Sequence, residues 1–137
     1  MKRVQLVTDG AMLGHVAHPG HPERPARLER LLELAHALHA GGTPVTSAAP
    51  ASEAALLRVH TPAYVARVLA TAGTPTVFDE DTATNEHSVA NALLAAGCAI
   101  AAVDAVLDGA ADRSFAWVRP PGHHAECDKA MGFCLFN

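Results

Sequence analysis

Between Val89 and Leu107, apolar residues recur at Val89, Leu93, Ala96, Ile100, Val103 and Leu107, a helical stripe about five turns long. Gly109 to Asp112 ends it, and Phe115-Ala116-Trp117-Val118 follows as a short strand predicted to be buried. A long apolar helix running straight into a strand restricts the chain to α/β architectures with a parallel sheet, because parallel strands need crossover helices. In such sheets sites gather at the carboxyl ends of strands. This strand runs directly into Arg119-Pro120-Pro121-Gly122-His123-His124.

The rest of the chain fits that reading. Arg3 to Val7 is rich in β-formers and predicts a first strand ending in a polar Thr8-Asp9-Gly10 turn. A loop of His, Pro and Gly leads to Pro25, suited to a helix's first turn because its missing N–H would be unpaired there. From Ala26, Leu28, Leu31, Leu32, Ala35 and Leu38 mark an amphipathic helix that Gly41-Gly42 stops. Further helices are expected at Ser52 to Val59, capped by Ser52, and from Thr61-Pro62, with Tyr64, Val65, Val68 and Leu69 on one face. Gly73 to Asn85 has turn residues, acids and no period, which predicts an exposed loop, and Met131 to Phe136 is a second apolar run.

Composition narrows the function. The chain has 137 residues, half of them apolar, enough for the core of one domain. Its net charge is −4 and its ten Lys and Arg residues are dispersed, which gives no support to direct nucleic-acid binding. Cys98, Cys127 and Cys134 lack CxxC spacing, which disfavours a disulfide framework and a thiolate zinc knuckle. No stretch reads as a signal peptide or a bilayer span, so a cytoplasmic protein without a membrane partner is expected, and the alanine-rich style suggests a bacterial one.

Nine histidines are the compositional oddity. His15, His18 and His21 recur every three residues, but Pro19, Gly20 and Pro22 make this a loop, so no metal site is expected there. His36, His39, His60 and His87 read as surface or cap residues. His123 and His124 differ, because two prolines and a glycine after a strand stiffen and then turn the backbone, letting both rings reach a common cavity. There they could divide general-base and general-acid work, or simply hydrogen-bond locally.

The run Arg119 to Ala125, followed by Met131-Gly132-Phe133-Cys134-Leu135-Phe136-Asn137, resembles the active-site segment of histone deacetylases, in particular the class II and bacterial amidohydrolase branch. His21-Pro22-Glu23-Arg24-Pro25-Ala26-Arg27-Leu28 resembles the family's first loop and helix, and His60-Thr61-Pro62-Ala63-Tyr64-Val65 its second helix start. The resemblance implies an arginase-like three-layer α/β/α domain with a parallel sheet, of which residues 1–137 would form the N-terminal part. It implies a zinc-dependent hydrolase acting on acetyl-lysine in peptides or proteins, or on small acetylated amines such as acetylpolyamines. His123 would help polarise the attacking water and stabilise the intermediate, and His124 would serve as base and then acid. Gly132 and Phe133 would line the acyl-lysine channel, Asp81 would accept peptide N–H groups at the rim, and Arg27 would lie near the pocket foot. Phe133 as plain core, Asp81 as a solvated loop carboxylate and Arg27 as a surface arginine stay open as alternatives.

The sequence departs from the family where the Zn2+ ligands belong. The Asp-x-His pair and the later Asp of the family pattern are absent from these residues, as are the aspartates that orient the two histidines and the tyrosine that polarises the carbonyl. The expectation is therefore a piece of a deacetylase that does not hydrolyse by itself. A non-catalytic binding or assembly module keeping part of the fold is the alternative.

Overall fold

The computed structural model describes residues 2–137. In chain order its elements are β1 (Val4–Val7), a 3-10 turn (Gly10–Gly14), α1 (Ala26–Ala40), β2 (Val45–Thr46), α2 (Glu53–Leu56), α3 (Pro62–Leu69), β3 (Thr76–Val77), β4 (Ala83–Thr84), α4 (Ser88–Leu107) and β5 (Arg113–Ala116). β1, β2 and β5 form a parallel sheet with β1 in the centre, its Leu6 level with both Val45 and Phe115. The α/β class and the parallel sheet follow the sequence reading.

Local chemistry explains most boundaries. Ser52 and Thr61 each accept a hydrogen bond from the backbone N–H three residues on, at Ala55 and Tyr64, the usual way to satisfy an orphan donor at a helix start. Asp9 does the same for Ala11 at the 3-10 turn. Pro25 already has helical dihedrals at the head of α1, and Gly41 closes it. The helix predicted for residues 52–59 is shorter than expected, spanning one turn before the chain bends into the start of α3.

The α4 stripe is where the sequence reading fails. Ile100, Val103 and Leu107 are exposed, whereas Ala92, Ala95, Cys98, Ala102 and Ala105 are buried. Small side chains let the helix lie close to β1 and β5, and close approach decides burial here more than side-chain size. Gly97 marks the limit, because a methyl there would collide with the Ala49 carbonyl. The first half of α4 divides two apolar clusters, one with Tyr64, Val65, Val68 and Leu135, the other with Val7, Met12 and Leu28.

Three further expectations are corrected. α4 is, by length and composition, apolar enough to cross a membrane, contrary to the reading that no stretch is. Its alanine-rich side packs on the sheet, while Ile100, Val103, Val106 and Leu107 stay exposed. The strand after it is not a buried one, since Phe115 is 59% exposed. The loop at 73–85 contains the antiparallel pair β3 and β4, with Thr82 and Thr84 buried; two-residue strands are too short to leave a period in the sequence.

Candidate active site

The site grows from the carboxyl end of β5. Trp117 N–H donates to the Val7 carbonyl at 2.9 Å, and the Trp117 carbonyl accepts from the Thr8 hydroxyl at 2.7 Å, so the chain stays tied to β1 past the last strand residue. Arg27 then donates to the Val118 carbonyl at 2.6 Å. A cis Arg119–Pro120 bond follows. Gly122 lies against the Phe136 carbonyl, where a side chain would collide, and Ala125 N–H donates back to the Gly122 carbonyl at 3.0 Å. This closes a turn with His123 and His124 at its tip.

The two imidazoles are exposed, with ring centroids 4.2 Å apart and planes inclined by 56°. They face different clefts. His124 lines one of about 490 Å³ with Asp79, Glu80, Asp81, Met131 and Gly132. His123 lines a neighbouring one of about 560 Å³ with Glu23, Arg27 and Trp117. Gly132 has φ +56°, and a methyl there would stand 2.8 Å from the His124 ring. Glycine is thus needed both for the backbone turn and for the room the imidazole occupies.

The residues singled out from sequence therefore fall into two groups. His124, Gly132 and Asp81 share one cleft, and His123 and Arg27 share the other. Phe133 is half-buried at φ +69°, its N–H donated to the Thr82 hydroxyl at 3.1 Å and its ring edge-on to His21 at 4.6 Å. A bulky residue in the left-handed region is uncommon and is held there by its surroundings. Asp81 is exposed, its carboxylate accepting from the Thr82 hydroxyl. Burial pushes the neighbouring Asp79 carboxyl up, but hydrogen bonds from Thr82 and Asp81 together outweigh it and hold the group below its ordinary value.

Sequence reasoning missed what supports this turn. Arg119 is fully buried, donating to the Glu23 carboxylate at 3.0 and 2.8 Å and to the Met12 and His15 carbonyls at 2.9 and 2.6 Å. His15 stands 3.5 Å from the same carboxylate and 2.7 Å from the Ser88 hydroxyl, at the head of α4. Burial alone would raise the Glu23 carboxyl, but His15 and Arg119 outweigh it and bring it down to about 2. An arginine wedged between a strand end and two prolines, with a glutamate in the other distinctive motif, was the available signal.

His60 is a further correction. It is buried, not a surface or cap residue. Its Nε2 accepts from Asn137 N–H at 3.0 Å, which places the proton on Nδ1, donated to the Glu126 carbonyl at 2.9 Å. It thereby fastens both ends of the 126–137 segment to the start of α3. Inside that segment, burial pushes the Cys134 thiol up, against the backbone N–H groups of His124 and Ala125, which pull it down.

The residues present do not fit a zinc centre. Among the described residues no three His, Cys, Asp or Glu side chains converge as a ligand set, and the two site histidines face separate clefts. No step is assigned to a metal.

A parallel α/β domain that presents two adjacent imidazoles beyond a strand end, beside a cleft lined by carboxylates, holds groups that could exchange protons with a bound molecule. The family model for the histone deacetylase domain matches residues 21–137, and the chain belongs to the histone deacetylase family. It is 49% identical over 92 residues to a histone deacetylase-like amidohydrolase of Pseudomonas aeruginosa, covering 66% of this chain and 24% of that protein. It is 41% identical over 102 residues to the mouse polyamine deacetylase HDAC10, covering 66% of this chain and 15% of that one. The crystal structure of the HDA15 HD domain superposes with a TM-score of 0.90 at 37% identity, over 99% of this chain and 40% of that one. The fold is that of part of the arginase/deacetylase domain, and the chain spans less than half the length of each of these proteins.

Proposed function

We propose that these residues supply the proton-handling part of a deacetylase that hydrolyses acetylated lysine or other acetylated amines. The observation that carries this reading is the His123–His124 turn, with its rings 4.2 Å apart and each lining a cleft. His124, which lines a cleft with Gly132 and three acidic residues, would take a proton from the attacking water and return it to the leaving amine. His123, on the Arg27 side, would hydrogen-bond the oxygen that gains charge as the carbonyl is attacked. Zinc dependence belongs to the same proposal and rests on family membership alone, because the donor set is not among these residues.

Small acetylated amines are a second substrate reading. Similarity to a protein named polyamine deacetylase favours it, as do the three acidic residues lining the His124 cleft, which suit a substrate carrying further positive charge. The test is acetate release from an acetyl-lysine peptide and from N-acetylspermidine by the natural polypeptide that carries this segment. A folded polypeptide that releases acetate from neither contradicts the proposal, and the ratio of kcat/KM values chooses between the substrates.

A further inference from the structure

The His124 cleft is lined by Asp79, Glu80 and Asp81 from the rim and by Met131 and Gly132 from the turn, and behind them the loop before α1 packs against Asp81 and against Phe133, the residue after Gly132. One side chain makes both contacts. His21 is 4% exposed; its Nδ1 lies 3.1 Å from the Glu23 backbone nitrogen and 3.0 Å from the Glu23 carbonyl, while its Nε2 faces a carbonyl, which can only accept, and so carries a proton. That Nε2–H donates to the Asp81 carbonyl at 3.0 Å. The ring meets Phe133 edge-on, with centroids 4.6 Å apart and planes inclined by 77°. Both nitrogens are thus engaged, and the ring is used as well. Thr82, itself buried, closes the loop of contacts by accepting from Phe133 N–H and donating to the Asp81 carboxylate.

We infer that His21 is a positioning residue for substrate, tying the Asp81 rim of the His124 cleft to the Phe133 ring, which follows the cleft residue Gly132. The inference rests on the deacetylase reading above. It acts through the Asp81 carbonyl and the Phe133 ring and takes no part in proton transfer, since both His21 nitrogens are occupied. The consequence falls on how firmly substrate is gripped, so it is read in KM rather than kcat. The strained φ of Phe133 makes the clamp necessary, because a residue in that region relaxes when its surroundings stop over-determining it.

Three substitutions separate its functions, made in the natural polypeptide that carries this segment. His21→Gln can still reach the Asp81 carbonyl with an N–H, His21→Phe keeps only the ring contact, and His21→Asn keeps only an acceptor near Glu23 N–H. Loss of one buried hydrogen bond at the rim predicts about a tenfold rise in KM for an acetyl-lysine peptide in the Phe and Asn variants and a smaller rise in the Gln variant, which keeps that bond but loses the ring contact, with kcat within about threefold throughout. Amide hydrogen exchange supplies a readout that needs no activity: in the Phe and Asn variants the amides of Asp81 and Phe133 should lose protection while those of α4 keep theirs. Equal KM in all three variants, or a fall in kcat at unchanged KM, overturns the proposal. If the wild-type polypeptide hydrolyses no acetylated amine, the deacetylase reading fails, and the clamp then stands on protection at Asp81 and Phe133 or falls with unchanged exchange.

Discussion

Replacing Arg119 by methionine removes the guanidinium that joins the loop before α1 to the strand end carrying the histidines. Four acceptors lose this donor: the Glu23 carboxylate, whose side chain is 7% exposed, and the Met12, Leu13 and His15 carbonyls. Breaking a buried pair by removing one partner costs about 3–5 kcal/mol. His15, 3.5 Å from the carboxylate, can take up part of the charge, so about 3 kcal/mol is expected. With a urea m-value of about 2 kcal/mol/M, the midpoint should fall by about 1.5 M. Trp117, the single tryptophan, adjoins this strand end and reports unfolding by its fluorescence. Adding Glu23→Gln to Arg119→Met should restore part of the loss by removing the stranded charge. A midpoint shift under about 0.5 M, or a double variant no better than the single one, would refute the account of this pair.

Other expectations follow from the same geometry. The folded Glu23 carboxyl is lowered from 4.5 to about 2, so its contribution is fully present above pH 4.5 and is lost as pH falls toward 2. That contribution is at most about 3 kcal/mol, and urea titrations from pH 6 to 2 should show a slope that Glu23→Gln flattens. Gly122→Ala drives a methyl into the Phe136 carbonyl and should lower both thermal stability and turnover, whereas Gly42→Ala, with open space around it, should cost about 1 kcal/mol for its positive φ and leave kcat unchanged. Tyr64→Phe leaves the buried Leu135 carbonyl without its donor and should cost about 1–2 kcal/mol in urea unfolding.

How much of this was legible in the sequence depended on whether the signal was local. Ser52 named its own cap, Thr61-Pro62 a helix start, Tyr64, Val65 and Val68 their own face, and the proline–glycine run the turn that bears the histidines. What escaped notice depended on distant partners. The buried face of α4 is its alanine face, because the sheet lies close enough to prefer small side chains, and no periodicity of large residues reports that. Arg119 and Glu23 are 96 residues apart, and His60 and Asn137 are 77 apart. Each reads alone as an ordinary polar residue, and only the fold makes it a buried partner. The split of the site residues between two clefts likewise depends on which way the turn at Gly122 to Ala125 faces.

The most direct test of the account is the turnover of His123→Ala and His124→Ala, each in the natural polypeptide that carries this segment, with an acetyl-lysine peptide at saturation. Loss of a positioned acid–base group predicts a fall in kcat of about 10²–10⁴-fold for His124→Ala, and a substantial fall for His123→Ala, with folding unaffected because both rings are exposed. Wild-type turnover in the His124→Ala protein would contradict the claim that this turn carries the proton.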